Sequence, residues 1–94
     1  MNSLKKYRKE IDKIDRTIIQ LLEKRFSIVE KIGEFKRKFK LKIRDKKREK
    51  EMLEKRKKLI RKLNLSSDFI EKFFRLIIRE SIKRMKNHNK NLFL

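Results

Sequence analysis

The chain has 94 residues, with 32 Lys or Arg against 13 Asp or Glu, a net charge of +19 on a length that permits one domain. It has no cysteine and one histidine, His88, which excludes disulfides and thiolate or multi-histidine metal sites and leaves a Ser-His-Asp triad without support, so neither metal nor nucleophilic chemistry is expected. No apolar run is long enough to span a membrane, and charge interrupts residues 1–15 every two or three positions, so no signal peptide is expected and the default compartment is the cytoplasm.

Proline is absent and glycine occurs once, at Gly33, so the residues that cut a chain into strands and tight turns are missing and an all-α fold is expected. The first segment is written in heptads. One column holds Leu4, Ile11, Ile18, Arg25, Ile32 and Phe39; a second holds Tyr7, Ile14, Leu21, Ile28 and Phe35. Ten of these eleven positions are apolar or aromatic, which predicts one helix over 4–39, about 54 Å long at 1.5 Å per residue. Gly33 should cost it about 1 kcal/mol relative to Ala.

The pattern lapses over 40–44, and Asp45 is placed to N-cap a second helix over 46–63 with the apolar face Met52, Leu53, Leu59, Ile60 and Leu63. A third helix over 67–88 follows Ser66 as N-cap, with Asp68 in the first turn and Leu65 packing on Ile70 as a staple. Its stripe is Ile70, Phe73, Phe74, Ile77, Ile78, Ser81 and Met85, and residues 89–94 read as a frayed tail. Neither later helix can cover the long seam of the first. The seam is therefore expected to pair with a second copy of the chain.

Charge is concentrated in the middle. Sixteen cationic and four acidic residues fall in 36–62, a local excess of +12 that reads either as solvated helix surface or as a face tracking phosphates. Aromatic interleaving and any recognised reading motif are missing there, so sequence-specific nucleic-acid binding is not expected.

The informative charges lie on the apolar faces. Arg25 interrupts an otherwise apolar column, and an unpaired buried guanidinium costs several kcal/mol, so it needs either a carboxylate such as Glu23 or Glu49 or an anionic ligand. Arg8 and Lys36 flank the seam, and Lys36 can alternatively snorkel to water. Arg48 and Glu49 open the second helix's stripe, as a local salt bridge, an exposed first turn or site residues, and Ser81 sits on the third helix's stripe, where it can bond back to its own helix. Together they describe a helical pocket lined by cations, one or two carboxylates and a hydroxyl, suited to a small polyanion.

The blocks containing Arg8, Ile11, Ile14 and Asp15, then Leu21, Leu22 and Arg25, then Ile32, Gly33 and Lys36, then Arg44, Asp45, Arg48 and Glu49, then Ile77, Ile78, Glu80 and Ser81 resemble the all-α chorismate mutases from residue 4 to about 86, without gaps. The resemblance implies an intertwined homodimer with active sites shared between chains, the substrate chorismate and no cofactor. It implies that Arg8 of the partner and Arg25 pair with the substrate carboxylates and that Arg48 lines the same end. Lys36 would donate to the ether oxygen, Asp45 and Glu49 would hold the ring hydroxyl, and Ser81 would contact the ring-side carboxylate region.

Met85 departs from the pattern, since the family usually places Gln or Glu there as a second donor to the ether oxygen. A thioether cannot donate, which leaves Lys36 alone, a water, or Arg84 or Asn87 if the neighbourhood is shifted. The implied reaction is the Claisen rearrangement of chorismate to prephenate on the route to phenylalanine and tyrosine. The alternatives are an isochorismate-pyruvate lyase of the same fold, a basic nucleic-acid-binding helical protein, and a catalytically silent dimer.

Overall fold

The computed structural model describes residues 2–91, with the side chains of 2–86. It is all-helical, as expected, with α1 at Asn2–Lys38, α2 at Lys46–Lys62 and α3 at Ser67–Asn91. The first two helices end within two residues of the sequence expectation. The third stays helical to Asn91, past the point where fraying is expected, and 92–94 lie outside the described residues.

The caps explain where the helices begin and end. The Asp45 Oδ1 accepts from the Arg48 N–H at 3.0 Å, and the Ser66 Oγ accepts from the Phe69 N–H at 3.2 Å, so each side chain satisfies a backbone donor in the first turn. Helix α1 stops in a Schellman motif. The Leu41 N–H reaches the Lys36 carbonyl at 2.7 Å and the Lys40 N–H reaches the Arg37 carbonyl at 3.2 Å, with Lys40 at φ 54°. Helix α2 ends similarly at Asn64, φ 53°, where the Leu65 N–H reaches the Ile60 carbonyl at 3.2 Å. With glycine committed elsewhere, a lysine and an asparagine take these left-handed positions.

Helix α3 packs on both α1 and α2, which make no close backbone approach to each other, so a gap between them is roofed by α3. The chain measures 57 × 35 × 15 Å, and its core is small. Among the described residues only Val29, Gly33, Ile60, Ile77, Ile78, Ser81 and Met85 are buried. All of residues 2–21 are exposed, including the seam side chains Tyr7 at 59% and Ile14 at 58%. Leu59 and Leu63 on α2 are exposed as well.

Gly33 has a packing role that helix propensity conceals. A Cβ there would lie 2.8 Å from the Met85 Cα and 3.0 Å from its carbonyl oxygen, so α1 and α3 cross at a point where only glycine fits. The Arg37 guanidinium, one turn further along α1, donates to the same Met85 carbonyl. Among the described residues, no helix is long and apolar enough to cross a membrane.

Candidate active site

A cavity of about 510 Å³ lies between the C-terminal half of α1, the 39–45 connection, α2 and α3, within the range of small-molecule sites. Seven of the eight residues singled out in the sequence line it. Arg25 and Lys36 come from α1, Asp45 from the cap of α2, Arg48 and Glu49 from its first turn, and Ser81 and Met85 from α3. The eighth, Arg8, is exposed on the part of α1 that neither other helix covers. It stands 17 residues before Arg25 on the same rod, about 26 Å away at 1.5 Å per residue, so it cannot reach its own chain's cavity.

The half-buried Arg25 pairs with neither Glu23 nor Glu49. Its Nη1 donates to the Ser81 Oγ at 2.7 Å, and that hydroxyl donates its proton to the Ile77 carbonyl at 2.7 Å. Ser81 therefore does bond back to its own helix, and in doing so it offers Arg25 an acceptor. Burial first, and then the charge of Arg56, hold the Arg25 pKa below the ordinary arginine value. The side chain remains a cation at neutral pH, because arginine titrates far above it.

Lys36 does not snorkel away. Its Nζ donates to the Ile43 carbonyl at 2.9 Å, which ties the ammonium to the connection that forms one wall of the cavity. An ammonium has three protons, so two remain for a ligand. Glu49 accepts from Arg44 and not from Arg48, with contacts of 3.1 and 3.4 Å to the two carboxylate oxygens, while the Arg48 side chain is exposed. Asp45 spends one oxygen on the cap, and its position beside Glu49 at the same end of the cavity follows from that cap.

Met85 lines the cavity one turn after Ser81, which supports the inferred register of α3. Arg84 is no substitute donor. It stacks on Phe26 at 4.6 Å, pairs with Glu30 at 3.5 Å and approaches Glu80 at 3.9 Å, away from the cavity lining. The side chain of Asn87 lies outside the described residues.

Sequence reasoning missed Arg56. It lies four residues after Met52 and eight after Arg48, on the row of α2 that faces the cavity, and it lines that cavity. The signal was the one that exposed Arg25, a cation inside an apolar stripe, here between Met52 and Leu53 on one side and Leu59 and Ile60 on the other.

The three helices thus line an aliphatic cavity with guanidinium and ammonium groups in its wall. The chain's relatives define the class of protein. The sequence matches the family described as chorismate mutase type II over residues 7–86. A bifunctional chorismate mutase/prephenate dehydratase of Buchnera aphidicola subsp. Acyrthosiphon pisum is 44% identical over 96 residues, which cover 95% of this chain and 25% of the relative. The protein of the same name from Buchnera aphidicola subsp. Schizaphis graminum is 46% identical over 85 residues, 90% of this chain and 22% of the relative. The T-protein of Haemophilus influenzae is 41% identical over 81 residues, 86% of this chain and 22% of the relative. The chain belongs to the chorismate mutase type II family, and it spans a quarter or less of the length of these relatives.

Proposed function

We propose that the chain is a chorismate mutase, an isomerase that converts chorismate to prephenate toward phenylalanine and tyrosine. The observation that supports this most is Arg25, half-buried in the cavity wall with Ser81 as its hydrogen-bond partner and further cations as its neighbours. A dianion is what such a wall takes up.

The reaction is unimolecular. The ether C–O bond breaks while a C–C bond forms at the other end of the side chain, so no nucleophile, base, metal or redox cofactor is required. The protein has two tasks, to hold the flexible dianion in its folded conformer and to place positive charge where the breaking ether oxygen becomes negative. In this reading Arg25 and Arg48 hold carboxylates, and Asp45 and Glu49 accept from the ring hydroxyl. Ser81, whose proton is already given to Ile77, orients Arg25. Lys36 keeps its bond to Ile43 and donates a second proton to the ether oxygen. Met85 donates nothing, so Lys36 acts there alone.

The same reading makes the protein a homodimer, in which the exposed seam of α1 packs on the partner and Arg8 enters the partner's cavity. Its support is the apolar face of residues 2–21 that the chain itself leaves uncovered. The names of the relatives add prephenate dehydratase activity as the chemistry that consumes the product, in keeping with a cytoplasmic pathway. The +12 segment serves substrate attraction, so kcat/KM should fall with salt more than kcat does.

Incubating the purified chain with chorismate and, separately, with isochorismate tests the proposal. Prephenate from the first and no pyruvate from the second is the expected result. Pyruvate from isochorismate without prephenate from chorismate would replace the mutase with the lyase.

A further inference from the structure

Arg56 has no role in the site as described so far. It projects from α2 into the same wall as Arg25 and Arg48, and its guanidinium carbon lies over the Phe74 ring, 4.3 Å from the centroid, a cation–π contact. Its Nη1 is shut off from water and makes no hydrogen bond among the described residues. The carboxylates nearest along the cavity are already engaged, Glu49 by Arg44 and Asp45 by the α2 cap. Burial, then the charge of Arg48, lower the Arg56 pKa below the ordinary arginine value, and Arg56 in turn lowers that of Arg25.

Three guanidiniums thus stand within electrostatic reach of one another with Ser81 as the acceptor for one of them. Arg25 and Arg56 lose solvation by burial, and the neighbouring guanidinium adds to the cost of each, Arg56 for Arg25 and Arg48 for Arg56, unless an anion enters between them. Ser81 cannot supply a second donor to that anion while its proton is held by the Ile77 carbonyl. We infer that Arg56 is a ligand-binding residue of this cavity, which shares with Arg25 one carboxylate of a dicarboxylate ligand. It rests on the chorismate mutase reading for the identity of the ligand, and on the cavity alone for its charge. Phe74 holds the fork in place, so that little side-chain freedom is lost when the anion arrives.

The experiment compares the parent chain with Arg56→Leu, Arg56→Gln and Arg56→Lys. It measures kcat and KM for chorismate, calorimetric binding of prephenate as a stable dicarboxylate, and the melting temperature without ligand. The two neutral variants should raise KM and the prephenate Kd by about tenfold or more, the loss of one charge-assisted contact, with kcat lowered far less. Arg56→Lys should fall between them and the parent. The ligand-free melting temperature should hold or rise in Arg56→Leu, because like-charge repulsion is removed and Phe74 keeps an apolar neighbour.

KM and prephenate Kd within twofold of the parent in a folded neutral variant would overturn the assignment and leave Arg56 as a packing residue on Phe74. Should neither neutral variant fold, Arg56→Lys decides, since a threefold or greater rise in KM supports the assignment and a parental KM overturns it. A parent that binds prephenate in an Arg56-dependent way but leaves chorismate unchanged would keep Arg56 as an anion contact and remove the reaction. A parent that binds no dicarboxylate removes both.

Discussion

Gly33 on α1 and Met85 on α3 meet where the two helices cross, so close that a Cβ on the glycine would stand 2.8 Å from the Met85 Cα. This crossing sets how far Arg25 and Lys36 stand from Ser81 and Met85, and so fixes the width of the cavity. Gly33→Ala should gain about 1 kcal/mol in helix propensity, but forcing backbone atoms apart costs about 1–3 kcal/mol, so the variant should be less stable. Urea unfolding of the two proteins measures the difference, and a variant as stable as the parent would mean that the helices do not cross this closely.

The position of Met85 gives a second expectation. It lines the cavity one turn beyond Ser81, and in the proposed reaction it faces the ether oxygen to which Lys36 donates. Met85→Gln adds a donor toward charge that develops in the transition state, so kcat should rise, by up to roughly a hundredfold, while KM changes little. Met85→Glu should help only as pH falls, since the carboxyl donates when protonated and repels the developing oxyanion when ionised. Steady-state kinetics between about pH 5 and 8 separate the cases. Two variants that track the parent throughout would place Met85 away from the reacting atoms.

Arg8 and Arg25 test the assembly. Arg25→Ala should lose two or more orders of magnitude in chorismate turnover, because a charge-assisted contact to a substrate carboxylate disappears. Mixing Arg8→Ala chains with Arg25→Ala chains should regain activity, since a mixed dimer holds one pocket with both arginines. Activity that stays at the level of the single variants would show that Arg8 does not act across an interface.

Much of this was legible in the sequence, because helix periodicity and caps are local signals. The heptads placed α1, Asp45 and Ser66 marked the starts of α2 and α3, and a cation in an apolar column located Arg25. What was not legible depended on tertiary contact. Gly33 read as a cost to α1 until Met85 was seen against it. Arg56 sits in the apolar stripe of α2 as Arg25 does in that of α1, but the surrounding Lys and Arg masked it until Phe74 and the cavity picked it out. Glu49 could have paired with Arg48 or Arg44, and the fold of the connection before α2 brought in the latter.

In the proposed reaction Lys36, tied by the Ile43 carbonyl to the wall of the cavity, is the cation that meets the breaking ether bond. The most direct measurement is the rate of prephenate formation from chorismate by the parent and by Lys36→Ala, each against the spontaneous reaction. The parent should exceed the spontaneous rate by orders of magnitude, and Lys36→Ala should retain its fold and lose at least a hundredfold in kcat, the loss of one preorganised donor. Prephenate appearing only at the spontaneous rate with the parent, or at the parental rate with Lys36→Ala, would contradict the account.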